Sequence, residues 1–148
     1  MDDNLLLRDQ VCFALYSASR AVTSTYRPLL DKHGLTYPQY LVLLALWETD
    51  GRTVTDLGSA LRLDSGTLSP LLKRLEAIDL IEKRRAAADE RRVAVHLTSK
   101  GSDLREEMRC IPSQVAGASG LSTRELTDLK NVLNQITEEI NRTEKETS

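Results

Sequence analysis

The sequence predicts a mainly α-helical chain with one small β-hairpin, and three observations carry that reading. Apolar residues recur at helical spacing through most of the 148 residues. One valine-rich stretch, Arg91-Arg92-Val93-Ala94-Val95-His96-Leu97, instead alternates polar and apolar residues as a half-buried strand does. The segments are separated by short turn and capping signals, with no internal repeat and no low-complexity tract.

The elements follow in order. Leu5 to about Lys32 reads as a long helix, with Asp9 a start signal and His33-Gly34 a stop. A start at Asp9 places Cys12 in the first turn, where unpaired backbone N–H groups and the helix dipole favour a thiolate; a start near Asp3 removes that help. Pro38 suits the first turn of a second helix carrying Leu41, Leu44, Ala45 and Trp47 and ending at Thr49-Asp50-Gly51. Thr53 can cap a short third helix to Leu61. Arg62-Leu63-Asp64 turns into a fourth, whose Leu68, Leu71, Leu72 and Leu75 form one stripe. Pro70 interrupts helices unless it lies in the first turn, which favours a start between Ser65 and Thr67. Ile81 to Leu97 then reads as a two-stranded hairpin with an exposed tip. Thr98 caps a fifth helix that is interrupted near Ile111-Pro112. Ser122-Thr123-Arg124-Glu125 has capping-box spacing and opens a last helix with Leu126, Leu129, Leu133, Ile136 and Ile140 on one side.

Composition narrows the function classes. The net charge of −2 gives no whole-chain signature of nucleic-acid binding, so any basic surface must be local. An acidic start, Met1-Asp2-Asp3-Asn4, and the lack of a long apolar run argue for a soluble cytoplasmic protein without a membrane partner. Two cysteines far apart form no disulfide framework or zinc motif, and neither His33 nor His96 has ligand-like neighbours, so no metal or cofactor is expected.

Helix, helix, turn, helix and basic hairpin is the order of a winged helix-turn-helix, expected over about residues 38–98 of a single 1–148 domain, with dimerisation helices at about 5–33 and 99–146. Ser65, Thr67 and Ser69 offer hydroxyls at the start of the second motif helix, and Lys73 and Arg74 add charge. Lys83, Arg84, Arg85, Arg91 and Arg92 supply the local basic surface, with Asp89 placed to brace the tip while Arg91 enters a minor groove. These residues define a surface for double-stranded operator DNA. The competing reading is a solvated, salt-bridged hairpin.

Leu63-Asp64-Ser65-Gly66-Thr67-Leu68-Ser69-Pro70-Leu71-Leu72-Lys73-Arg74-Leu75-Glu76, together with Asp89-Glu90-Arg91-Arg92, resembles the recognition helix and wing of the multiple antibiotic resistance regulator (MarR) family. Within it, Val11-Cys12-Phe13-Ala14-Leu15-Tyr16, Tyr26-Arg27-Pro28-Leu29-Leu30 and Leu35-Thr36-Tyr37-Pro38-Gln39-Tyr40-Leu41 resemble the organic hydroperoxide resistance regulators (OhrR). The resemblance runs from about Gln10 to Pro112. It implies a homodimeric repressor, not an enzyme, whose DNA affinity falls when an organic hydroperoxide oxidises Cys12, with Tyr26 and Tyr37 as hydrogen-bonding partners of the sulfur.

Geometry accommodates that expectation only in a dimer. Cys12, Tyr16 and Tyr26 share a helical face, yet fourteen residues at ~1.5 Å separate Cys12 from Tyr26 by about 21 Å. Two such helices running antiparallel about a two-fold axis would pair the thiol with the tyrosine in trans. Two-cysteine relatives carry a resolving cysteine near the start of a C-terminal helix; Cys110 lies about two turns upstream, so the sulfenate is resolved either by Cys110 or by a small external thiol. The alternatives are a cysteine that merely packs as a small hydrophobe, and a MarR-type regulator released by a non-covalent small-molecule ligand.

Overall fold

The structure is a computed structural model describing residues 5–86 and 89–147, with the side chains of residues 86–91 outside the described set. It forms two compact units, Met1–Ile111 and Pro112–Ser148.

In the first unit a 3-10 turn, Leu7–Asp9, precedes α1, Val11–Asp31. The expected helix from Leu5 is therefore shortened. Gln10, extended at φ −85° and ψ 112°, is the N-cap in place of Asp9, and Cys12 still falls in the first turn. Thr36 and Gln39 form a reciprocal capping box that starts α2, Tyr37–Glu48, with Pro38 in its first turn. Tyr40, Val42, Leu43, Ala45 and Leu46 of α2 are all buried. A helix apolar around its whole circumference belongs at the centre of a core, which is where α2 lies.

Thr53 accepts the Asp56 N–H at 3.1 Å and opens α3, Val54–Leu61. Arg62 ends it in the left-handed region at φ 55°, and Asp64 accepts the Thr67 N–H at 2.7 Å to open α4, Ser65–Ala77. Leu57 of α3 packs into the core with Leu68, Leu72 and Leu75 of α4; Leu71, expected on the same stripe, is half-buried. Pro70 does not lie in the first turn. It is the sixth residue of α4 and exposed, where the lost N–H interrupts only one bond to a carbonyl near the helix start.

The hairpin is part of a larger sheet than the sequence suggests. β1 (Arg52–Thr53) pairs antiparallel with β3 (Asp89–Leu97), which pairs antiparallel with β2 (Ile81–Ala86), in the order β1-β3-β2. Arg52 stands opposite Val95, and Ile81 opposite Leu97. A two-residue strand has no periodicity of its own, so β1 was invisible in the sequence.

Thr98 accepts the Gly101 N–H at 3.0 Å and opens α5, Ser99–Glu107. Gly101 is required there: a Cβ would stand 2.1 Å from the Leu80 carbonyl oxygen. The same α5 turn receives the Trp47 indole N–H on the Gly101 carbonyl at 2.9 Å.

The second unit contains most of α6, Ile111–Ala118, and all of α7, Thr123–Thr147. The capping box forms as expected, with Glu125 accepting the Ser122 N–H at 2.8 Å and Ser122 accepting the Glu125 N–H at 3.2 Å. Leu129, Val132, Ile136 and Ile140 of α7 are exposed.

Candidate DNA interface and thiol site

The first unit turns the polar side of α4 outward because its leucines are turned in. Ser65, Thr67, Ser69, Lys73 and Arg74 are all exposed, while Leu68, Leu72 and Leu75 are buried. Hydrogen bonds from Thr67, the backbone N–H first and the hydroxyl second, hold the Asp64 carboxyl below its ordinary range. The N-cap is thus ionised at neutral pH, and the first turn of α4 is tightly set.

The strands beside α4 carry a second basic surface. Lys83, Arg84, Arg85 and Arg92 are exposed, and Arg84 is hydrogen-bonded to Glu82. The side chains of Asp89 and Arg91, expected at the tip, lie outside the described residues. Several bonds fix the base of this wing. Glu76 of α4 accepts the Lys83 N–H at 3.2 Å, and Asp50 accepts the Leu97 N–H at 2.8 Å. The Thr98 hydroxyl donates to the Asp79 carbonyl at 2.7 Å, and Lys100 donates to the Ile78 carbonyl at 2.9 Å. Helix and wing therefore sit on one frame, as a surface that must follow two features of a duplex requires.

The thiol site is divided. Cys12 is exposed in the single chain. Tyr26 and Tyr37 come together, their ring centroids 4.7 Å apart. Tyr40 completes the cluster at 5.7 Å from Tyr26 and 6.4 Å from Tyr37. Its placement was legible in the interval Tyr37 to Tyr40, one helical turn. Burial raises the Tyr26 hydroxyl pKa, with Tyr37 adding to it, and burial alone raises that of Tyr37; Tyr40, the most enclosed, is pushed up to about 12. All three are neutral hydroxyls at physiological pH. Cys12 stands near the opposite end of the unbroken α1 from Tyr26.

Cys110 is exposed in the turn between α5 and α6. His33, just past α1, lies 3.8 Å from Glu107 at the end of α5. This contact ties the Cys110 turn to the C-terminal end of α1, while Cys12 marks the N-terminal end.

Residues 24–108 match the family described as transcriptional regulator SarA/Rot, which is MarR-like. The chain belongs to this MarR-like family. The organic hydroperoxide resistance transcriptional regulator of Bacillus subtilis is 48% identical over 131 residues, covering 88% of this chain and 89% of that protein. Reduced AbfR bound to DNA superposes with a TM-score of 0.77 at 35% identity, covering 90% of this chain and 94% of the other. Disulfide-formed AbfR superposes with a TM-score of 0.63 at 33% identity, covering 92% and 90%.

For a MarR-like regulator the division of labour is plain. The family consists of DNA-binding regulators rather than catalysts, and its winged-helix architecture is the one built here from α3, α4 and the β-sheet. No helix among the described residues is long and apolar enough to cross a membrane, and they contain no metal-ligand cluster.

Proposed function

We propose that the protein is a homodimeric cytoplasmic repressor that leaves its operator when an organic hydroperoxide oxidises Cys12. The observation that carries this reading is the separation of thiol and tyrosines along α1, about 21 Å between Cys12 and Tyr26. Contact within one chain is ruled out by that length. Antiparallel pairing of two α1 helices about a two-fold axis brings Cys12 beside the partner subunit's Tyr26 and Tyr37. The exposed apolar residues of α1, Val11, Phe13, Tyr16 and Val22, support burial in such an interface. The Bacillus subtilis relative is named for organic hydroperoxide resistance, and AbfR has been solved both reduced on DNA and disulfide-formed.

The chemistry follows from these groups. The Cys12 sulfur attacks the peroxide, and the O–O bond breaks. One oxygen stays on sulfur as the sulfenic acid, and the other leaves as an alcohol carrying the proton of the thiol; sulfur loses two electrons and the peroxide gains them. The neutral hydroxyls of the partner subunit's Tyr26 and Tyr37 donate hydrogen bonds to the sulfur and the leaving oxygen.

Cys110 is the resolving thiol in this reading, and it acts in trans. Its own Cys12 lies at the far end of α1, a 21-residue helix about 30 Å long. The partner subunit's Cys12 approaches the nearer end. Condensation of the sulfenic acid with the Cys110 thiol releases water and forms the disulfide. Because the Cα atoms must come within about 7 Å, the bond draws one subunit along the other and changes the spacing of the two α4 helices against successive major grooves. On DNA, α4 supplies Ser65, Thr67, Ser69, Lys73 and Arg74, and the wing supplies Arg84, Arg85, Asp89, Arg91 and Arg92.

The test is operator binding by wild type and Cys12→Ser, with and without an organic hydroperoxide at fixed salt. Release of wild type alone is expected. Equal release of both proteins would sink the Cys12 mechanism, and release of neither would favour a non-covalent ligand. Cys110→Ser should still form the sulfenic acid but no intersubunit disulfide on a non-reducing gel.

A further inference from the structure

Three successive carbonyls lead from the end of α4 to the start of β2, and all three are bonded to the beginning of α5. Ile78 accepts from the Lys100 ammonium at 2.9 Å, Asp79 from the Thr98 hydroxyl at 2.7 Å and Leu80 from the Thr98 N–H at 3.1 Å. Gly101, in the same turn, packs so closely that a Cβ would stand 2.1 Å from the Leu80 oxygen. With no slack between them, the α5 turn and the junction of α4 with the wing move as one piece.

The other side of that turn is held from α2. The Trp47 indole N–H donates to the Gly101 carbonyl at 2.9 Å, and the Trp47 ring meets Tyr40 edge-on, with centroids 6.3 Å apart and planes at 67°. Tyr40, only 2% exposed, lies against Tyr26 and Tyr37. Tyr37, Tyr40 and Trp47 leave one side of α2, at intervals of three and seven residues. An enclosed ring has no empty space to move into, so a displacement of Tyr26 or Tyr37 passes to Tyr40 and on to Trp47. The Trp47–Gly101 hydrogen bond supplies two discrete states, as coupling between distant sites requires. Trp47 is half-buried, so water can take up the indole N–H when the bond opens.

We propose that Trp47 is a positioning residue that couples the tyrosine cluster to the DNA-reading surface within one subunit. With the cluster in its reduced arrangement, Trp47 holds the α5 turn; displacement of the cluster breaks the Trp47–Gly101 bond and frees the junction of α4 with the wing. The proposal rests on the peroxide reading above. To the altered spacing between subunits it adds an altered angle between helix and wing inside each one.

The experiment uses the full-length protein labelled with 5-fluorotryptophan, in which Trp47, the sole tryptophan, gives a single fluorine resonance. tert-Butyl hydroperoxide should move that resonance in wild type and not in Cys12→Ser. Operator DNA added to the reduced protein should move it too, because coupling between two sites is reciprocal. Trp47→Phe keeps a ring against Tyr40 and loses the N–H. Its Cys12 should oxidise at the wild-type rate by quenched mass spectrometry, and its reduced form should bind operator more weakly than wild type. Oxidation should lower wild-type operator affinity roughly fivefold or more, and in Trp47→Phe that factor should fall toward one. A resonance that operator DNA leaves in place, or that stays put while Cys12 is oxidised and DNA released, overturns the proposal, whether or not the variant folds. So does a cooperatively melting Trp47→Phe that loses as much affinity on oxidation as wild type. Movement on operator binding with no oxidation of Cys12 would instead overturn the peroxide reading and leave the coupling of Trp47 to the DNA-reading surface standing.

Discussion

Gly101→Ala tests how the DNA-reading surface is anchored. The added Cβ would stand 2.1 Å from the Leu80 oxygen and 3.1 Å from its carbon. The closest ordinary carbon–oxygen contacts are about 3.3 Å, so backbone must separate by about 1.2 Å. Both sides of the clash are main chain, and no rotamer can relieve it. Two effects compete. Replacing a helical glycine by alanine gains about 1 kcal/mol of intrinsic helix propensity, whereas overpacking a rigid junction costs up to about 3 kcal/mol. The clash wins by about 2 kcal/mol, which for a chain of this size lowers Tm by about 4–8 °C. The damage falls at the base of the wing, because the Leu80 carbonyl also accepts the Thr98 N–H at 3.1 Å. Thermal unfolding at fixed protein concentration gives the stability change. Trp47, the sole tryptophan, donates to the Gly101 carbonyl and reports the displacement by fluorescence. An unchanged or raised Tm would refute the reasoning, since propensity would then have prevailed over the clash.

Two further outcomes follow from the described surfaces. Arg85→Ala and Arg92→Ala should each lower the slope of log affinity against log salt by about 0.9 per lost phosphate contact, with a smaller change for Arg84→Ala because Glu82 already engages that guanidinium; binding isotherms at several salt concentrations decide it, and unaltered slopes would remove the wing from the interface. For the tyrosine cluster the folded state holds protons that the unfolded state releases, since Tyr40 is raised from 10.0 to about 12 and Tyr26 and Tyr37 are raised as well. Stability is therefore full below pH 10 and falls as the pH rises through the folded values. Tyr40→Phe should make the alkaline loss shallower in denaturant titrations at successive pH values, and an unchanged loss would contradict the burial assigned to that hydroxyl.

Local patterns disclosed much of the architecture. The α4 stripe was legible because Leu68, Leu72 and Leu75 recur at helical spacing, and the last helix because Ser122 and Glu125 satisfy each other within four residues. The strand β1 was not, since Arg52 and Thr53 become a strand only by pairing with Val95 and Ala94 some forty residues away. Pro70 pointed to a start between Ser65 and Thr67, and α4 starts at Ser65, although the proline stands beyond the first turn as its sixth residue.

By itself the sequence determined the helical periods, the caps, the basic hairpin and the thiol at the start of a helix, all of which depend on neighbours within about two turns. Tertiary structure alone decided which distant groups meet. It joined Tyr26, Tyr37 and Tyr40 in one cluster, set Gly101 against Leu80, and put His33 beside Glu107 so that the Cys110 turn lies at the end of α1 away from Cys12. Such contacts arise from the packing of one helix against another, whose depth and register follow from close filling of the shared core and not from any residue's immediate neighbours.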